Sequence, residues 1–204
     1  MTALTTATLP QLTLRSLDAT WTYARWQELP YDGNRYEVLD GVLYLTTSPS
    51  NFHQWIVTQL LYLIGLPAHS CGLAYPFVGP IGLLIPDAQP AQPDFLLVRR
   101  ERAAIIRDGR IRGAPDLIVE ILSPSNPDTD TDTKLRLYAR AGVPEYWIIR
   151  PATRDVLVHW APEASGGTYT HTRHYPPDAR LDSPTLPLGL TVAALFADAP
   201  DTTL

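Results

Sequence analysis

At 204 residues, 45% of them apolar and 18% charged, the chain is long enough to bury a substantial core and has a globular composition. A formal net charge of −5 excludes a general magnet for polyanions, and one cysteine, Cys71, excludes a disulfide framework or a cysteine-rich zinc site and reads as a packing residue. The longest apolar stretches are too short and too polar to span a bilayer, and "MTALTTATLPQLTLRS" lacks a signal peptide's pattern, so a cytoplasmic protein is expected.

In chain order, "SLDATWTYARWQELP" (16–30) reads as a short amphipathic helix, with Ser16 or Asp18 as N-cap and Pro30 as stop. "RYEVLDGVLYLTT" is a hairpin signature, with Asp40-Gly41 as a two-residue type I′ turn. Phe52, Ile56, Leu60 and Leu63 recur at helical spacing in "SPSNFHQWIVTQLLYLIGL". Short strands follow at "LAYPFV", "IGLLI" and "DFLLVRR", then an Arg-rich connection and the strand "DLIVEI". "DTDTDTKLRLYARAG" reads as a second long helix, with Leu135, Tyr138 and Ala139 inward and Gly142 as its C′ terminator. "EYWIIR" and "DVLVHW" form a hairpin-like pair, "YTHTRHY" a last strand and "LTVAALFA" a short helix. The twenty prolines are spread along the chain and mark turns. This order predicts an α/β (α+β) fold, a central mixed β-sheet flanked by helices. It also predicts one domain over 1–204: a core of about 30–160, with the helix 16–30 and the strand and helix of 168–198 as appendages.

Three acids occupy strand positions where surface acids are not normally placed: Glu37 in the hairpin, Asp94 after Pro93, and Glu120 at the end of Leu117–Val119. A carboxylate there is costly to bury unless it is paired or coordinated. If the strands of Asp94 and Glu120 are neighbours, about 4.8 Å apart, the two side chains can share one hard cation, and oxygen ligands suit Mg²⁺ or Mn²⁺. Pro-Asp is also a common turn dipeptide, which leaves a structural reading open for Asp94 and Asp116. Asp116 keeps that reading, because it lies about 13 Å along the strand from Glu120.

"YEVLDG", "PDFLLV" and above all the linked "APDLIVEILSPS", Lys134, Tyr138 and "AGVPEYWII" resemble the Uma-two family of bacterial restriction-endonuclease-like proteins, within the PD-(D/E)XK nuclease superfamily. The resemblance runs from about Tyr36 to Trp160. It implies a restriction-endonuclease-like fold with Asp94 and Glu120 as metal ligands, joined by the backbone carbonyl of Ile121. The superfamily's simplest pattern has lysine two residues after the second acid, where this chain has Leu122. The family pattern instead has a lysine in the following helix, matched by Lys134, the chain's one lysine beside fifteen arginines. Asp130 matches the family's helix Asp, with a helix N-cap paired i,i+4 to Lys134 as the plainer reading. Glu37 matches an early Glu near the metal; His53 matches a family position, although a histidine on an apolar helix is more often a satisfied core residue.

Six arginines cluster between residues 99 and 112, and Arg99, Arg100 and Arg102, with His53, are candidate nucleic-acid contacts. A solvated hairpin around "RDGR" is the alternative. The resemblance therefore implies a metal-dependent endonuclease acting on DNA, with two copies pairing to cut two strands. One rival is a catalytically inactive binding module for nucleic acid or protein on the same fold. Another is a structural protein in which these acids cap helices and pair with arginines.

Overall fold

The computed structural model describes residues 13–30, 32–85, 89–123 and 128–204, without the side chains of residues 128–131. Strand β1 (Thr13–Arg15) precedes helix α1 (Tyr23–Gln27). The helix expected over 16–30 is thus reduced to five residues, capped by Thr22 rather than Ser16 or Asp18. Asp18 instead closes a turn with Thr20 and pairs with Arg25, the competition by which Asp and Ser favour turns over helix interiors.

Strands β2 (Arg35–Leu39) and β3 (Val42–Thr46) form the expected hairpin. Asp40 and Gly41 both have positive φ, 49° and 77°, as a type I′ turn requires. Helix α2 (Asn51–Leu60), capped by the Ser50 side chain, runs through a π-helical turn (Leu61–Gly65) into α3 (Leu66–Ser70). Gly65 lets this helix lie close on the sheet: a Cβ there would fall 2.9 Å from Leu61 Cδ1 and 3.1 Å from Pro76 Cβ.

Next come β4 (Ala74–Val78), β5 (Leu83–Ile85), β6 (Gln89–Ala91), β7 (Phe95–Arg99), β8 (Ile106–Arg107), β9 (Arg110–Arg112) and β10 (Leu117–Ile121). Helix α4 (Asp128–Arg140) follows and ends where expected. Gly142 has φ 75°, its N–H reaches the Ala139 carbonyl and that of Val143 reaches Tyr138, the paired bonds of a Schellman cap. Strands β11 (Glu145–Arg150), β12 (Asp155–Glu163), β13 (Thr168–Tyr175), β14 (Arg180–Asp182) and β15 (Gly189–Thr191) complete the chain, with a 3₁₀ turn at Val192–Leu195 where a helix was expected.

The central sheet has six strands in the order β13-β12-β11-β10-β7-β4. Only the β10–β11 pair is parallel, with α4 as its crossover; the other pairs are antiparallel. Alternation sorts the core onto two faces. Phe95, Leu97, Leu117, Val119, Trp147 and Ile149 pack under α2 and the C-terminal segment. Leu96, Val98, Ile118, Tyr146 and Ile148 pack under α4, the first hairpin and the small sheet β6-β5-β9-β8. These central side chains are 0–2% exposed. Each such burial is worth about 1.5–3 kcal/mol, so the strands are rigid supports for whatever sits at their ends. Among the described residues, no helix is long and apolar enough to cross a membrane.

Candidate active site

The antiparallel pairing of β7 with β10 sets Phe95 opposite Val119. Asp94, just before β7, is therefore drawn beside Glu120 and Ile121 at the far end of β10. The Ile121 N–H donates to Asp94 Oδ2 at 2.8 Å, which locks the aspartate to the neighbouring strand. Helix α2 approaches from one face of the sheet and puts His53 Nε2 3.2 Å from the same oxygen. From the other face, α4 brings Lys134 Nζ to 3.0 Å from Glu120 Oε1 and 3.2 Å from Glu37 Oε1. One turn on, the Tyr138 hydroxyl donates to Glu120 Oε1 at 2.7 Å. Glu37 projects from β2 and accepts the Gln92 N–H at 2.8 Å.

A residue that sequence reasoning passed over completes the cluster. Arg35 opens β2, and its Nη1 lies 2.7 Å from Asp94 Oδ1 while its Nη2 lies 3.5 Å from Glu120 Oε2. Its Nε is 3.5 Å from Glu37 Oε2, and Nη2 also donates to the Gln92 carbonyl. One guanidinium thus spans both candidate metal ligands. A strand-initial arginine reads as a solvated charge; the available signal was its i,i+2 spacing from Glu37, which puts both on one strand face. Tyr138 was read as an inward-facing helix residue and as part of the family pattern, with no role of its own, and Gln92 not at all.

Glu37, His53, Asp94, Glu120 and Lys134 are each 4–7% exposed, so their charges interact strongly. Burial pushes the Asp94 carboxyl up, but His53 and Arg35 outweigh it and hold the group well below the usual range. Glu37 is likewise lowered against its burial, by Arg35 and Lys134. Glu120 goes the other way: burial, with Asp94 and Glu37 close by, raises it above an ordinary glutamate despite Lys134 and Arg35. Burial works against the Lys134 ammonium, yet Glu120 and Glu37 lift its pKa above that of an ordinary lysine. Burial and the Glu120 charge hold the Tyr138 phenol well above its ordinary value, so it stays a donor.

Among the described residues, no three His, Cys, Asp or Glu side chains gather as a metal-ligating group. What the site offers is the pair Asp94 and Glu120. These are hard oxygen donors, and a single cation, the Arg35 guanidinium, already reaches both. Carboxylate oxygens of this kind are donors that suit a hard cation such as Mg²⁺ or Mn²⁺ with water completing the shell.

The sequence candidates Glu37, Asp94, Glu120, Ile121, Lys134 and His53 converge at this one place. The three arginines do not. Arg99 ends β7, about 16 Å along the strand from Asp94. Its N–H donates to Asp116 Oδ2 at 2.8 Å, and Arg102 Nη1 lies 2.8 Å from Asp116 Oδ1. Arg100 sits 4.7 Å over the Tyr75 ring. Asp116 is thus a structural anchor for the connection, as its sequence position suggested, and the guanidiniums lie at the opposite end of the strands from the acids. Asp130 falls in the first turn of α4, but its side chain lies outside the described residues.

Residues 22–195 match the family described as "Uma2: Putative restriction endonuclease". Among solved structures, the chain is similar to a protein from Anabaena variabilis ATCC 29413 described as "a putative nuclease belonging to DUF820". The two are 23% identical with a TM-score of 0.72, over 86% of this chain and 97% of that one. No curated protein matches. At that identity the structural likeness speaks for fold, and the fold is restriction-endonuclease-like, an α+β architecture around a central mixed sheet.

Proposed function

From the premise that this chain belongs to the Uma2 family of restriction-endonuclease-like proteins, we propose that it is a metal-dependent endonuclease that hydrolyses phosphodiester bonds of DNA at the Asp94–Glu120 centre. The observation that carries this reading is the convergence of Asp94, Glu120 and the chain's one lysine at the ends of two paired core strands. Asp94 and Glu120, with the Ile121 carbonyl, would hold the ion. When bound, such an ion supplies Lewis-acid polarisation of the phosphoryl group and activation of water.

The remaining groups divide the work by charge. Lys134 keeps its proton at neutral pH because two carboxylates face it, so it acts as a fixed cation and not as a base. It orients the attacking water and steadies negative charge that develops on the phosphoryl oxygens. Glu37 and Glu120 hold that ammonium in place, and Tyr138 fixes the rotamer of Glu120 through Oε1. His53 does the same for Asp94. Arginine at this position would keep the charge but replace a compact ammonium with a broad planar fork, and so would lose the placement that orients the water.

Leu122, where the simplest superfamily pattern has lysine, keeps a second reading in view: a binding module that retained the fold. One experiment separates the two. Purified protein is incubated with plasmid and with single-stranded DNA in Mn²⁺, in Mg²⁺ or in chelator, beside the Asp94→Ala and Glu120→Ala proteins. The endonuclease reading expects cleavage in either metal that chelator and both substitutions abolish. Cleavage that survives both substitutions would reject this centre, and intact DNA with retained binding would favour the module.

A further inference from the structure

Arg35 has no place in the chemistry above, yet it is the most heavily engaged cation of the site. Its three guanidinium nitrogens face three different carboxylates. The two of these that are candidate metal ligands are bridged by it and by no other side chain that the structure describes between them. Part of Arg35 also borders a cleft of about 120 Å³, which Asn34, Ser48, His53, Gln54 and Asp94 line with it. That volume is several times the space of one water, about 30 Å³, and is enough for a phosphodiester group. The Arg35 side chain is 21% exposed, against 5% for Asp94, so the exposed part of this otherwise enclosed cluster is the arginine.

We propose that Arg35 and the divalent ion compete for the oxygens of Asp94 and Glu120, and that ion binding turns the Arg35 guanidinium into the adjoining cleft to hold a substrate phosphate. The inference rests on the metal-dependent reading above. Three carboxylates face Arg35 and Lys134, with His53 beside Asp94, so the cluster is already close to balanced. A divalent ion added to that set would leave surplus positive charge in a buried site, which is costly. Turning Arg35 outward onto a phosphodiester anion removes the surplus and frees the oxygens the ion needs. Conversely, the cleft is unattractive to an anion while the Asp94 carboxylate faces it without the ion. Ion and phosphate should therefore bind cooperatively, each improving the other by the same factor. Arginine suits both positions, because its fork bridges two carboxylates or grips two phosphate oxygens equally well.

The test is calorimetric titration of Mn²⁺ into the intact protein, Arg35→Met, Arg35→Lys and Asp94→Ala, with and without dimethyl phosphate, a monoanionic phosphodiester. The expected result is Mn²⁺ binding about tenfold or more tighter in Arg35→Met than in the parent. Arg35→Lys should be intermediate, since its point charge cannot bridge both acids. It carries the test if the methionine variant melts in chelator at the assay temperature. Dimethyl phosphate should tighten Mn²⁺ more in the parent than in Arg35→Met, where the ion alone is left to hold the phosphate. Equal or weaker Mn²⁺ binding in both Arg35 variants would overturn the exchange while leaving the metal site standing. An equal phosphate effect in parent and Arg35→Met would overturn the phosphate role. Failure of parent and variants alike to bind Mn²⁺, indistinguishable from Asp94→Ala, would reject the metal reading and the inference with it.

Discussion

At the scale of single residues, Lys134 shows what a buried charge pair does and does not decide. Its ammonium lies between Glu37 and Glu120, so removing it leaves two buried carboxylates facing each other. Lys134→Ala should lower stability by about 3–5 kcal/mol in urea denaturation, a loss that says nothing about catalysis. Lys134→Arg keeps the charge and is the informative change. It should retain Mn²⁺ binding by calorimetry while turnover falls by about a hundredfold or more, the size of losing one well-placed electrostatic group. Parent-like cleavage by the arginine variant would remove Lys134 from the chemistry. The lysine, Asp94 and Glu120 were legible in the sequence because each breaks a local rule: an acid ending an apolar strand, a lone lysine in an arginine-using chain. Arg35 broke no such rule. An arginine at a strand start is unremarkable until the partner acids, 59 and 85 residues away, are folded against it.

Elements were legible where local physics decides them. The type I′ turn at Asp40-Gly41 and the Schellman cap at Gly142 follow from residues able to adopt positive φ. The β7 and β10 strands follow from short apolar runs, rich in β-branched residues in β10. The two- and three-residue strands β5, β6, β8 and β9 were only partly visible, since so few residues show no period and their pairing is a tertiary matter. The C-terminal helix failed for a related reason: after the β15 strand, the apolar "VAAL" run closes only a 3₁₀ turn against α2. The connection before it, between β14 and β15, is tied to the sheet by a group the sequence did not mark, Glu145, which is 0% exposed. Its Oε1 accepts Trp147 Nε1 at 2.5 Å, and its Oε2 accepts the Ser183 hydroxyl at 2.6 Å together with the Thr185 hydroxyl and N–H. Glu145→Ala leaves these donors buried without their acceptor and should cost about 3 kcal/mol or more in urea denaturation. Because Glu145 begins β11, away from the Glu120 end of the sheet, Mn²⁺ affinity should be unchanged below the transition. A matching loss of Mn²⁺ affinity would mean that the C-terminal segment supports the site after all.

The whole molecule sets a constraint that neither residues nor elements reveal. A chain of net charge −5 must approach a polyanion, and its densest run of arginines sits at the far end of β7 from the acids, with Arg99 and Arg102 engaged by Asp116. The sheet order explains this: an antiparallel β7–β10 pair places the two ends of the Arg-rich connection, after β7 and before β10, at one edge, while Asp94 and Glu120 meet at the other. Element order along the chain could be read in advance, but this opposition depends on pairing direction, which it does not encode. Binding to nucleic acid should therefore draw little on diffuse basic surface and much on the ion and Arg35. Measured by fluorescence anisotropy with a single-stranded oligonucleotide, affinity should be weak in chelator and rise when Ca²⁺ is added as a divalent probe. The slope of log affinity against log salt should correspond to about three phosphates or fewer, each contributing roughly 0.7 on a single strand. A slope two or three times larger, unchanged by the ion, would show a broad basic footprint. The Arg99–Arg102 edge would then become the principal binding surface, and the acids' end would be left to chemistry alone.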